Sequence, residues 1–191
     1  MMRISSLAAI GIAALSSAAS AQTPPNSAAL LGAERAAMAR LAYMDGIWRG
    51  PAWSVTPTGR HEVVQTERIG PFLDGAVKVI EGRGYNPDGT VGFNAFATIS
   101  FDPGRQAYTL HSNAQGYGGD FPFRMTDTGY VWEIPAGPGA IIRYTATIGG
   151  GAWREVGERI AGTAPPVQIF EMNLKRVGDT GWPAAGAVPM R

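Results

Sequence analysis

From Asp45 to Val177 the chain alternates apolar and polar positions with a period of two, in short runs cut by Gly, Pro and Asp. Within 141–148, Ile142, Tyr144, Ala146 and Ile148 fall on one side, and Arg143, Thr145 and Thr147 on the other. Phe93, Ala95, Ala97, Ile99 and Phe101 share a side, and Phe170, Met172 and Leu174 oppose Glu171, Asn173 and Lys175. Such alternation marks strands, because successive side chains of a strand point to opposite faces. The runs, rich in Val, Ile, Thr and aromatics, predict strands near 47–54, 60–70, 75–84, 91–101, 106–113, 118–126, 129–135, 140–149, 152–161 and 167–177. The joints "TPTG", "NPDG", "DPGR", "TDTG" and "GPG" are short and turn-forming. Successive strands are therefore expected to run antiparallel, in up-and-down order.

Helical periodicity is confined to Ser27–Met44. Leu31, Met38 and Leu41 lie near one face there, Glu34, Arg35 and Arg40 lie on others, and Asn26 or Ser27 can cap the start. "QTPPNSAA", residues 22–29, reads as a linker before it. Ten strands in an open sheet would leave two unpaired edges, and no second set of helices is present to cover a flat face. The expected fold is all-β: a closed up-and-down antiparallel barrel of about ten strands, preceded by one short N-terminal helix, over residues 30–177. The tail 178–191, "GDTGWPAAGAVPMR" with leading Val177 excluded, reads as disordered.

Residues 1–21 change the expected compartment. Arg3, a short apolar stretch and Ala19-Ser20-Ala21 have the order of a secretory signal cleaved before Gln22, and the stretch is too short for a membrane span. The mature chain is expected to be exported, periplasmic or secreted, and soluble. Roughly 170 residues would remain, enough for one domain with its own core. Losing Arg3 from 16 Lys+Arg leaves basic residues level with the 15 acidic ones, so no electrostatic case exists for nucleic acid or an anionic membrane. The chain has no Cys, which excludes disulfides, thiolate catalysis and Cys-ligated metals.

The stretch "MDGIWRGPAW", residues 44–53, holds two of the five Trp directly after the helix. Its Gly46-x-Trp48 start resembles the calycin pattern of lipocalins and their relatives. The resemblance implies that Trp48 plugs one barrel end, with Arg176 or Lys175 of the last strand stacking a cation on the indole. "FLDGAVKVIEGRGY" and "FATISFDPGRQAYTLHS" extend the likeness to the DUF1579 family of bacterial lipocalin-like proteins, which lends no activity. "GIWRG" also satisfies the G-x-W-x-G opening of nitrobindin-like haem barrels. Those proteins bind haem through a His late in the barrel, and no His follows His111 here, so no residue matches that ligand. No cofactor is expected.

Candidate chemistry is sparse. His111 shares a strand face with Thr109 and Asn113; facing inward, it could orient a ligand, and otherwise it is a hydrogen-bonded strand residue. His61, beside Arg60 and Glu62, reads as solvated, and two isolated His do not make a zinc site. Arg143, Glu155, Arg159 and Glu171 fall on the last three strands, where they could grip a ligand's polar end or form an outer ladder of ion pairs. Tyr144 joins them as a candidate ligand contact. The Gly-rich "NAQGYGGDFPF", 113–123, suggests a lip at the barrel mouth or a wide hairpin, and is no phosphate loop. No catalytic constellation stands out. A barrel of this strand number can leave a cavity, so the first expectation is a module binding a small lipophilic or amphipathic molecule. The alternatives are a filled structural or partner-binding barrel, or a hydrolase or isomerase working in the cavity.

Overall fold

The computed structural model describes residues 26–181. The signal segment and most of the tail, including Trp182, lie outside the described residues. The helix α1 (Ser27–Ala39) leads through a 3-10 turn (Ala42–Met44) into ten strands. These are β1 (Gly46–Thr56), β2 (Gly59–Phe72), β3 (Val77–Tyr85), β4 (Val91–Asp102) and β5 (Ala107–Ala114), followed by β6 (Tyr117–Met125), β7 (Gly129–Pro135), β8 (Ala140–Gly149), β9 (Ala152–Ala161) and β10 (Val167–Gly178). Each strand pairs antiparallel with the next, and β10 returns to β1, closing the barrel. Closure pairs each strand on both sides, although β6 meets β7 only over Phe123–Met125, so the stretch of β6 before Phe123 is paired to β5 alone.

Alternation sets which residues face inward. The predicted apolar sides of 93–101, 141–148 and 169–175 supply Ile99, Ala146, Met172 and Leu174 to the buried core. The helix stops earlier than its periodicity suggests. After Ala39 the chain tightens to bonds from Leu41 N–H to the Met38 carbonyl (2.9 Å) and from Met44 N–H to the Leu41 carbonyl (3.0 Å). Met38, Leu41 and Met44, three residues apart, are all buried at that end of the barrel. A three-residue period suits the tighter helix, and burying each such side chain contributes about 1.5–3 kcal/mol. The helix also begins inside the predicted linker, with Asn26 as its cap: the Asn26 side chain accepts from Ala29 N–H at 3.3 Å.

Two long-range bonds fix this plug. Tyr43 donates to the Gly129 carbonyl, and Tyr108 to the Ala37 carbonyl, each at 3.0 Å. Lys78, buried at the same end, donates to Asp45 Oδ1 at 2.5 Å. The plug thus closes one end, and the hairpins β1–β2, β3–β4, β5–β6, β7–β8 and β9–β10 ring the other. Gln115 and Gly116 join β5 to β6 in two residues, both with positive φ as a tight hairpin requires. The Gly-rich stretch is therefore a tight hairpin at the barrel mouth and not a wide one. Its Phe123 enters the core, while Tyr117 stands 83% exposed at the mouth.

Candidate functional site

Gly46, Trp48 and Arg176 come together at the plugged end. Trp48 is 1% exposed, and its indole N–H donates to the Met44 carbonyl at 2.9 Å. Arg176 stands opposite Trp48 in the β1–β10 register. Its guanidinium donates to the Asp45 carbonyl at 3.2 Å and binds the Asp179 carboxylate. The stacked cation lies elsewhere: Arg60 sits 4.1 Å from the Trp53 ring centroid. Gly46 has φ +139°, and a Cβ there would come within 2.8 Å of Arg176 Nε. The glycine is needed twice, for its backbone angle and for the arginine lying across it.

Above the plug lies a cavity of about 670 Å³. Met44 and Trp153 line it toward the closed end, and Thr56, His61 and Tyr117 toward the hairpins of the other. Aromatic rings make much of the wall. Trp132 and Tyr144 stack at 4.3 Å between centroids with 12° between planes, and Phe170 meets Tyr144 edge-on at 5.7 Å. Gly157 makes room for this stack, since a Cβ there would lie 2.8 Å from Tyr144 Cε1.

Two carboxylates enter this apolar space. Glu155 on β9 is 5% exposed and accepts from Tyr130 Oη at 2.6 Å and from Trp132 Nε1 at 2.9 Å. Glu67 on β2 is 8% exposed and accepts from Gln65 Nε2 at 2.7 Å. Gly82 leaves the space that the Glu67 carboxylate occupies. Burial pushes Glu67 up to about 8, against the Gln65 bond that favours the anion, and the charges of Glu155 and Glu81 push the same way. Burial also raises Glu155, resisted by the donors on Tyr130, Trp132 and Trp153. The buried Trp153 indole N–H nevertheless has no hydrogen-bond partner within bonding geometry. It borders the carboxylate without completing a bond to it. Tyr144 is raised to about 12 by burial and then by the Glu155 charge.

The predicted ligand contacts divide across the barrel wall. Tyr144 and Glu155 line the cavity. His111 does not: it lies on the outer wall, 2.6 Å from Asp120 through Nδ1, with both side chains more than half exposed. The apolar Tyr108 and Leu110 take the inward parity of β5, which turns Thr109, His111 and Asn113 out. Arg143 also faces out and donates to Glu133 at 2.7 Å. Glu171 is held outside by Arg154 (2.8 Å), Gln168 (2.9 Å) and Asn173 (3.1 Å), and these bonds, Asn173 first, hold its carboxyl below the usual range. Of the group Arg143, Glu155, Arg159 and Glu171, Arg143 and Glu171 belong to outer ion pairs, as the ladder alternative expected, and Glu155 is the member that lines the cavity.

Glu67 and Gln65 are the site residues that the alternation pattern did not single out. The signal was present in "VVQTERIG", where Val63, Gln65, Glu67 and Ile69 share one parity, with Gly82 facing Glu67 across the β2–β3 pair. Of the two histidines, His111 is on the outer wall and His61 stands exposed at the cavity rim, bonded to Asn86 Oδ1 at 3.0 Å. Among the described residues no group of three or more His, Asp or Glu side chains is placed to hold a metal, and no helix is long and apolar enough to cross a membrane.

No family model and no curated protein matches this chain. Among solved structures, the barrel is similar to the crystal structure of Rv2717c from M. tuberculosis, with a TM-score of 0.56 and 13% identity over 74% of this chain and 97% of that one. At that identity the likeness concerns the fold alone.

Proposed function

We propose that the protein is an exported, DUF1579-like barrel that binds a small lipophilic or amphipathic molecule in its cavity. One observation carries this reading: the barrel is hollow above its plug, with about 670 Å³ of space lined mainly by apolar and aromatic side chains. Small-molecule sites typically measure roughly 300–1,000 Å³ and combine an apolar wall with a few convergent polar groups. A filled structural barrel would have its inward side chains meeting at the axis. Export rests on the signal-like residues 1–21.

The buried pair Glu67 and Glu155 favours a second reading, acid–base chemistry on the bound molecule. Burial holds Glu67 up to about 8, protonated at neutral pH, while Tyr130 and Trp132 donate to Glu155 as they would to a carboxylate.

Binding is tested by titrating the protein with diphenylhexatriene, a neutral apolar reporter, and following its fluorescence. Saturable one-to-one binding is expected, lost in Ala95→Phe, which fills the cavity from β4. Reporter fluorescence that never saturates, or that is unchanged in Ala95→Phe, would remove the binding reading.

A further inference from the structure

We propose that the molecule held in this cavity is an amphipathic organic cation, an amine whose protonated nitrogen sits at Glu155 and whose apolar body fills the aromatic chamber. The inference rests on the binding reading above and adds the charge class of the ligand.

Among the described residues that border the cavity there is no Lys and no Arg, while Glu67 and Glu155 are both inside. Carboxylates in a barrel interior are ordinarily matched by a cation, because an unpaired buried charge is costly. Elsewhere this protein follows that rule. Lys78 at the plugged end is bound by Asp45, and Glu133 and Glu171 on the outer wall are bound by Arg143 and Arg154. Glu155 and Glu67 are instead buried with only neutral donors, the Tyr130 hydroxyl and the Trp132 indole for Glu155 and the Gln65 amide for Glu67.

The surroundings of Glu155 suit a cation from outside the chain. Tyr130 and Trp132 reach Glu155 through their polar edges, and the Trp132–Tyr144 stack, Phe121 and Phe170 wall the apolar space beside it, which an apolar body attached to the nitrogen would fill. Trp153 adds a third neutral donor beside Glu155: its buried indole N–H borders the cavity and the carboxylate without a bond of good geometry. Anionic ligands are disfavoured by the same geometry, since a carboxylate or phosphate at the cavity base would face two carboxyl groups and no internal base.

The groups facing Glu155 are Tyr130 on β7, Tyr144 on β8 and Glu67 on β2. Neither tyrosine ionises in the neutral range, and His61 stands at the rim. Acid therefore acts on amine binding through the two carboxyl groups. As pH falls and Glu155 takes up a proton, the attraction for the amine is lost, while a neutral ligand of the same shape is held as before.

Decylamine, decanol and decanoate, which share one apolar chain, test the charge class by competition against diphenylhexatriene. Decylamine is expected to bind at least about tenfold more tightly than decanol at pH 7.5, with decanoate weakest. Its advantage should shrink on acidification and vanish in Glu155→Gln, with decanol binding retained. Should that variant fail to fold, the pH dependence of decylamine against decanol on the unaltered protein decides alone. Equal binding of the three with normal reporter binding would overturn the charge assignment and leave the cavity reading intact. Failure of the reporter and all three ligands would overturn both.

Discussion

The carboxylate of Glu67 occupies the space that a side chain at Gly82 would take: a Cβ there would stand 2.8 Å from Oε1 and 2.9 Å from Oε2. Glu67 is buried and tied to Gln65, so it has little freedom to yield. Gly82→Ala is expected to destabilise the protein by about 1–3 kcal/mol in urea unfolding. The same change made in a Glu67→Ala background should cost clearly less, because the two residues compete for one space. Equal costs in both backgrounds would mean that the glycine serves only its own backbone.

Glu67 also makes stability depend on pH, with a definite sign. Its carboxyl lies near 8 in the folded protein against 4.5 ordinarily. Between those values the folded state holds a proton that the unfolded state has released, so this group's contribution to stability falls as pH rises through that window. At roughly 1.4 kcal/mol per unit, the loss is on the order of a few kcal/mol, complete above about pH 8. Glu67→Gln, which keeps the shape of the protonated acid, should remove this slope. Unfolding curves should show the variant close to the parent near pH 4 and more stable at pH 9.

At the plugged end, Gly46→Ala meets both a positive φ and the Arg176 guanidinium. A cost of about 1–3 kcal/mol is expected from backbone strain alone. Thermal unfolding of Gly46→Ala with and without Arg176→Ala separates the two causes, and a residual cost in the second background measures the strain.

Asp45→Asn leaves the buried Lys78 ammonium without its counter-ion. A loss of about 3 kcal/mol is expected, and Lys78→Met, which removes the buried charge itself, should cost less. The reverse order in denaturant unfolding would show that the lysine is retained for stability.

These residues also mark how far the sequence could be read. Strand number, antiparallel order and closure followed from period-two runs, short turns and the lack of covering helices, all of which are local signals. The apolar faces through Phe93 and Ile142 point inward, a direction that alternation by itself did not assign. His111, expected as a candidate ligand contact, faces out because Tyr108 and Leu110 claim the inward parity on its strand. Glu67 was not, because its strand places Val64 on the opposite, exposed face, and alternation alone does not say which side of a mixed strand is buried. The helix end at Ala39 was set by the three-residue spacing of Met38, Leu41 and Met44, a tertiary demand that helical periodicity over the same stretch obscured. Whether the barrel is hollow depends on how side chains from ten strands meet at the axis, which no single run contains.

The central claim is that this cavity is built to hold a molecule. Native mass spectrometry of the protein purified from the organism that makes it, beside the denatured sample, tests this most directly. A stoichiometric extra mass is expected, released on denaturation as one small species, on a polypeptide that begins at Gln22. A bare polypeptide mass under native conditions would contradict it.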